Sequence, residues 1–325
     1  MKALVLRKEP EFSCGFEQVQ PPAASTPGSV CSLAYSCLNY KDALAIANRG
    51  PVVRKWPMVP GIDGAGTITE SSRSDLPSGS DVILTGWGLG EARWGCLAEA
   101  VWIDEANPVV VADSLSPRHA MAVGTAGLTA MLCIQAIERH GVKPQDGPVL
   151  VTGASGGVGG MALMFLKGLG YHAVASTGRP EGESYLKEIG AAEVIDRASL
   201  ASPGKPLQPE RWAAVIDSLG DVTLANACAS TEYRGIVAAC GLAQGMNLPT
   251  TVAPFILRGV TLAGIDSVMV SNAVRIDAWR RIAHLANRAL LDRMTREIAF
   301  ADVVPAAHEL LAGRVRGRLV VNLRR

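Results

Sequence analysis

From about residue 118 to 264 the chain alternates short apolar runs with stretches of helical periodicity, each pair separated by glycine or proline. Residues 148–152 read as a buried strand. Residues 157–169 read as a helix whose apolar positions are Val158, Met161, Ala162, Phe165 and Leu169, closed by Gly170. "YHAVAS" (171–176) reads as a second strand, and a helix over 182–189 ends at Gly190. Further short strands are expected near 193–195, 213–217, 235–240 and 260–264. Six strands alternating with helices are the set for a doubly wound parallel sheet. "SPGKPLQPE" (202–210) reads as a surface loop within it.

Outside this span the pattern changes to period two. A first strand is expected within 1–12, and others over 29–40, 81–86 and 96–103. Ser116 and Pro117 suit the start of a helix, and a helical run continues to His140 before Gly141. After about 265 come two helical patterns and a last strand over 317–323. The low-complexity stretch 21–29 reads as a loop, and no internal repeat is present. The pattern implies an α/β protein in which a six-stranded doubly wound (Rossmann) domain, 118–264, is inserted in a split β-rich domain, 1–117 and 265–325. The cleft between them is the expected place for a ligand.

Composition narrows the function classes. A length of 325 residues suits two domains, and a hydrophobic fraction of 48% is ample for their cores. A net charge of +1 argues against nucleic acid or an acidic membrane surface as partner. No apolar run is read as reaching the ~18 residues of a membrane span. The apolar core of the N-terminus is too short for a signal peptide, so a cytoplasmic protein is expected. The seven cysteines form no C-x-x-C pair or zinc spacing and are expected to be reduced and buried rather than catalytic. The arginines between 275 and 296 read as an exposed helix face, and Lys41 as facing solvent.

The turn "VTGASGGVG" (151–159) carries the first chemistry. It spells Ala154-x-Gly156-x-x-Gly159, the dinucleotide fingerprint with alanine in the first glycine position. Small residues at Gly156 and Gly157 let the backbone of Ser155 to Val158 approach a pyrophosphate, whose charge rests on free N–H groups at the helix start. The second strand ends in "STGR" (176–179), with no carboxylate until Glu181. An NAD site places an acid there. Thr177, Gly178 and Arg179 suit a 2′-phosphate instead, so NADPH is the expected cofactor.

Motifs along nearly the whole chain resemble one family: "LNYKDALAI" (38–46), "PGIDGAGT" (60–67), "LTGWGLGE" (84–91), "GTAGLTAMLC" (124–133), "VTGASGGVG", "ACGLA" (239–243), "LPTTVAPFILRGV" (248–260) and "GIDSVM" (264–269). The chain resembles the zinc-free medium-chain reductases of the quinone oxidoreductase group, and within them the acrylyl-CoA reductase branch. Only 10–30 departs from the pattern. The resemblance implies a GroES-like β-rich domain, NADPH, a homodimer and reduction of a 2-enoyl thioester. Zinc enzymes of the superfamily carry Gly-His-Glu where this chain has Gly61-Ile62-Asp63, and isoleucine cannot ligate a metal; no metal is expected.

Without zinc, charge developing on the thioester oxygen needs protein donors, and a proton must reach the α-carbon. "NYKD" offers the amide of Asn39, the phenol of Tyr40, which donates or stacks on the nicotinamide, and Asp42 as orienting group or proton relay. The same residues also read as a helix start, with Asn39 as N-cap. Thr125 and Thr129 are candidates for the nicotinamide amide or the phosphates, or for bonds to their own helix. By resemblance, Leu242, Ile256 and Asn322 line the nicotinamide and ribose, although the first two read as core on composition alone. Arg54, with Lys55, is a candidate for the coenzyme A phosphates. A quinone or general enone reductase, and a non-catalytic NADPH-binding protein, are the competing readings.

Overall fold

The structure, a computed structural model, describes residues 1–20, 27–104, 110–111 and 115–325. The low-complexity stretch expected as a loop over 21–29 lies largely outside them, and its last residues open a strand, Gly28–Leu38. The chain divides into two compact units. One comprises Met1–Thr125, Val268–Trp279 and Arg288–Arg325; the other comprises Ala126–Ser267 and Arg280–Asn287.

The second unit holds a six-stranded, all-parallel sheet. Its order is Glu193–Asp196, Ala173–Thr177, Val149–Val151, Trp212–Asp217, Thr231–Ala239 and Thr261–Gly264. In chain order that is 3-2-1-4-5-6, the doubly wound arrangement, which reverses between the strands Val149–Val151 and Trp212–Asp217. Both are fully buried, as strands covered on two faces must be. The helix Gly157–Gly168 follows the first strand with only small residues between. A Cβ on Gly159 would stand 2.5 Å from the Gly153 carbonyl oxygen and 2.6 Å from Ala154 Cα, so glycine lets this helix start against the strand end. The loop 202–210 is largely exposed, as its prolines suggest.

The first unit is β-rich. Its main sheet runs Thr295–Ala299, Arg318–Asn322, Gly28–Leu38, Asp63–Ser71, Asp81–Thr85 and Val110–Val111, and Ala100–Asp104 pairs with Gly28–Leu38 as well. Four of these elements depart from the sequence reading. The strands Asp63–Ser71, Val110–Val111 and Thr295–Ala299 were not expected, and the strand expected over 96–103 begins only at Ala100. The stretch 10–30 also holds a strand, Ser13–Gln18, paired with Lys2–Arg7. The C-terminal part carries three α-helices, Asn272–Leu285, Arg288–Met294 and Val303–Leu311, rather than two.

The helix Pro117–His140 is broken at Gly124, whose φ of 50° and ψ of −157° are closed to residues with a Cβ, and the division between the units falls there. By length and composition it is apolar enough to cross a membrane, contrary to the expectation that no such run exists, but 89% of that stretch is buried inside the protein. Arg275 also departs from its expected exposed face. It is 1% exposed, and its guanidinium donates to the Thr85 carbonyl at 3.0 Å and hydroxyl at 2.6 Å and to the Val268 carbonyl at 3.1 Å. All seven cysteines are free, five of them buried.

Candidate active site

In the β-rich unit the "NYKD" residues open the helix Tyr40–Ile46. Asn39 stands at its N-cap in extended backbone, and the Asp42 carboxylate three residues on accepts the Asn39 N–H, as in a capping box. The Asn39 amide nitrogen donates to Asp63 Oδ2 at 2.9 Å and to Asp42 Oδ2 at 3.2 Å, and its Oδ1 accepts from Arg318 Nη1 at 3.1 Å. Both amide hydrogens are thus committed to carboxylates, and none is left for a substrate oxygen. The expectation that Asn39 donates to the acceptor gives way to a structural role.

Asp42 is 1% exposed and accepts from the backbone N–H groups of Asn39 (2.8 Å), Gly61 (3.2 Å) and Ile62 (3.0 Å) as well as from the Asn39 amide. It orients Asn39 and the Gly61 turn and makes no bond to the Tyr40 hydroxyl. Burial first, and the charge of Asp63 second, push its carboxyl up to about 7, while the bonds from Asn39 and Ile62 oppose the rise. Lys41 does not simply face solvent: its Nζ lies 2.9 Å from the carboxylate of the buried Glu91. Tyr40 is the open member of the set. It is 45% exposed, and its hydroxyl has no protein partner among the described residues.

Asp63 is fully buried. Its Oδ2 accepts from the Thr125 N–H at 2.8 Å, from Cys37 Sγ at 3.1 Å and from Asn39; its Oδ1 accepts a short bond from the Thr125 hydroxyl. Arg318, 4% exposed, donates through Nε to the Ala122 carbonyl at 3.0 Å, through Nη1 to Asn39 and through Nη2 to Cys37 Sγ at 3.0 Å. A Cβ on Gly124 would lie 2.7 Å from Asp63 Oδ2 and 2.8 Å from Arg318 Nη2. The kink at Gly124 is therefore built onto this cluster. Burial, the Asp63 charge and a bond to Asp63 hold the Cys37 thiol well above its ordinary range. Asn322, expected at the ribose, donates to Glu297 at 3.0 Å and accepts from the Arg324 N–H at 3.1 Å. Arg54 and Lys55 are exposed, without a side-chain partner among the described residues.

In the second unit, Gly156 is the N-cap of the helix Gly157–Gly168, and the N–H groups of its first turn have no helical carbonyl to bond. Gly153 turns at φ 60°, where a Cβ would meet the Ser218 hydroxyl at 2.5 Å. Within the turn, the Ser155 hydroxyl shares a 2.8 Å bond with that of Thr177. The turn is held from behind by Asp217, which accepts from the Thr152 hydroxyl at 2.6 Å and the Gly220 N–H at 2.8 Å. A helix start with unbonded N–H groups and small residues in its turn fits a pyrophosphate.

The parallel register pairs Asp196 with Thr177, which brings Arg197 alongside Gly178. Any Cβ at 178 would collide with the Arg197 guanidinium. Arg179 and Arg197 thus flank the end of the strand Ala173–Thr177. The sequence reading named Arg179 and not Arg197, because only strand register brings the two together. Thr129 is buried and bonds the Ser267 hydroxyl at 2.9 Å rather than only its own helix. Leu242 and Ile256 are 56% and 72% exposed, not core.

Residues 157–285 match the family of zinc-binding dehydrogenases. The chain is 43% identical over 324 residues to a probable acrylyl-CoA reductase, AcuI, of Escherichia coli, covering 99% of this chain and 100% of that protein. It is 46% identical over 293 residues to the acrylyl-CoA reductase AcuI of Ruegeria pomeroyi, covering 90% and 89%. The yhdH oxidoreductase from Salmonella enterica, solved in complex with NADP, superimposes with a TM-score of 0.96 at 42% identity, covering 99% of this chain and 100% of that one.

Two outcomes are expected from this geometry. Arg179→Ala and Arg197→Ala should each weaken NADPH binding by roughly 1.5–3 kcal/mol, the range for a charged hydrogen bond, and leave NADH binding nearly unchanged. Fluorescence titration with both nucleotides measures this, and equal losses for the two would remove the 2′-phosphate role. The second concerns Asp42. Its native value lies above that of the unfolded chain, so the folded state holds the proton more tightly. That stabilisation is complete below about pH 4 and is lost as pH rises through about 7. In denaturant titrations, wild type should lose stability relative to Asp42→Asn by a few kcal/mol between about pH 4 and pH 7.5. A difference that does not change with pH would refute the assignment.

Proposed function

The chain belongs to the acrylyl-CoA reductase family of medium-chain oxidoreductases, and from that membership we propose that it reduces the activated C=C bond of acrylyl-CoA to propionyl-CoA with NADPH, without zinc. The observation that carries the reading is the likeness to acrylyl-CoA reductases, which runs through both units. One acrylyl-CoA, one NADPH and one proton give one propionyl-CoA and one NADP. NADPH, when bound, supplies the hydride. The residues suited to hold it are those of the glycine turn, Ser155, Gly156, Gly157 and Val158, with Thr177, Gly178, Arg179 and Arg197 at the 2′-phosphate.

What the rest of the protein must provide is a donor for the charge on the thioester oxygen. Tyr40 has that part, because its phenol is open while the Asn39 amide and the Asp42 carboxylate are spent on the protein. Leu242 and Ile256 offer exposed apolar side chains for the nicotinamide, and Arg54 and Lys55 offer free cations for the coenzyme A phosphates.

The zinc-free reading is supported by the donor set. Ile62 is buried, and Arg318 places a guanidinium on the thiol of Cys37, where a second cation would be repelled. Among the described residues no three His, Cys, Asp or Glu side chains are grouped for a metal. Free cysteines throughout favour a reducing, cytoplasmic setting. The strand Thr261–Gly264 is an edge of its sheet, which suits two-fold pairing into a homodimer; sedimentation showing only monomer would oppose this.

Steady-state NADPH oxidation tests the activity. Acrylyl-CoA should be turned over with a higher kcat/KM than a simple quinone, and exhaustive chelation should leave the rate intact. A preferred quinone would overturn the substrate. Stoichiometric zinc lost together with activity would overturn the metal reading. Tyr40→Phe should lower kcat about 10²-fold with NADPH affinity kept. A silent Tyr40→Phe with weaker NADPH binding in Tyr40→Ala would make Tyr40 a stacking residue instead.

A further inference from the structure

We propose that Asp63 and Arg318 are positioning residues that fix Tyr40 and Thr125 relative to one another, so that the buried guanidinium and carboxylate act on the reaction through those two side chains. The proposal rests on the reading of Tyr40 and Thr125 as groups that meet cofactor or acceptor. Its geometry lies wholly within the β-rich unit.

Asn39, next to Tyr40, and Thr125 are 86 residues apart in the chain. One carboxylate joins them. Asp63 takes the Asn39 amide on Oδ2 and the Thr125 N–H and hydroxyl on its two oxygens. One guanidinium joins the same two segments from the other side: Arg318 Nη1 bonds Asn39 Oδ1 and Nε bonds the Ala122 carbonyl, two residues before Gly124. Both clamps are buried, so neither exchanges its bonds for water. The Arg318 fork uses three nitrogens on three different partners, Ala122, Asn39 and Cys37. A lysine ammonium is a single point and cannot span that set. Asp42 adds a third tie by holding Asn39 to the Gly61 turn.

Both amide hydrogens of Asn39 and both the N–H and the hydroxyl of Thr125 are given to carboxylates, so Thr125 offers a ligand its hydroxyl lone pair and methyl group, and Tyr40 keeps its phenol hydrogen. Thr125 is only half-buried and Tyr40 is exposed, whereas Asp63, Asn39 and Arg318 lie beneath them. The consequence is specific: disturbing Arg318 should move the reacting partners of Tyr40 and Thr125 without removing any group that touches them. Misplacements of that kind cost rate far more than they cost folding.

The test is Arg318→Lys and Arg318→Ala in the full-length protein, with Arg118→Lys as control. Arg118 also bridges two carboxylates, Asp292 and Glu297, but lies outside the cluster. Thermal melting and circular dichroism give the folded fraction, so that rates are expressed per folded enzyme. Arg318→Lys should lower kcat about 10–100-fold, while Arg118→Lys leaves it unchanged. Millimolar guanidinium, far below denaturing levels, should restore part of the kcat of Arg318→Ala and none of that of a Tyr40→Ala variant. Where Arg318→Ala does not fold, Asp63→Asn takes its place: it exchanges one accepting oxygen for a donor, so one tie to Asn39 or Thr125 is lost, and kcat per folded enzyme should fall about 10–100-fold, an unchanged kcat overturning the proposal. Wild-type kcat in Arg318→Lys, or a loss that vanishes once corrected for folded fraction, would overturn the proposal. NADPH affinity, measured without any acceptor, separates this outcome from a wrong substrate. If wild type turns over no enoyl thioester, a weaker NADPH complex in Arg318→Lys still supports the clamp and an unchanged one still refutes it.

Discussion

A carboxylate taken out of water must receive its hydrogen bonds from the protein, or its burial costs several kcal/mol. In the β-rich unit two carboxylates are buried in this way, and satisfying them dictates the local backbone. Asp42 and Asp63 between them draw donors from residues 37–39, 61–62 and 125. The start of the helix Tyr40–Ile46, the turn at Gly61 and the kink at Gly124 are therefore not three independent features. Gly61 turns at φ 107° with its N–H on Asp42, and a Cβ there would stand 2.5 Å from the Leu97 nitrogen. Gly124 turns at φ 50° with Asp63 and Arg318 against it. At Gly124 it is the buried ion cluster, and at Gly61 the backbone of Cys96 and Leu97, that comes closer than a side chain permits.

The nucleotide-binding unit uses the same device on another scale. Asp217, fully buried at the end of its strand, takes the Thr152 hydroxyl and the Gly220 N–H, and so ties together the two loops at the point where the sheet order reverses. Burial raises this carboxyl, as it does Asp42, and hydrogen bonds work against the rise. In both units a stiff strand carries a buried acid, and the acid positions a loop whose own side chains are small. The loop is then free to present backbone N–H groups or a single open side chain to a ligand.

Much of this was legible in the sequence and some was not, for reasons that differ by residue. Glycine spacing and apolar periodicity are local, so the doubly wound sheet and the turn 151–159 could be read directly. "STGR" is local too, and it marked Arg179. Arg197 escaped because its neighbour Gly178 lies 19 positions away and only parallel register unites them. Asp63 and Arg318 escaped for the same reason on a longer scale: a buried arginine has no local signature, and Arg318 sits in "RVRGRL" (314–319) beside two others. Arg275 was misread among its neighbours because a helix rich in arginine looks solvated until one of them is found pointing inward. Asn39 was read as a donor to the acceptor, whereas in the structure both its amide hydrogens go to carboxylates. Sequence shows that an amide is present, not that its hydrogens are already taken.

The charges in the β-rich cluster bear on the direction in which Asp42 is shifted. Arg318 bonds Cys37 and Asn39, and both of these in turn bond Asp63. The guanidinium thus stands on the Asp63 side, while Asp42 faces neutral backbone and amide donors together with the charge of Asp63. Burial first, and the neighbouring charge of Asp63, disfavour a second charge in the same dry volume, which is the upward direction found for Asp42. A metal ion at this place would have neutralised both acids and bound the thiol as thiolate. A guanidinium, being a single charge spread over a planar fork, neutralises one acid and keeps its remaining hydrogens for positioning. The cluster therefore fixes geometry through its fork of donors, and the phenol of Tyr40 stays open at the surface above it.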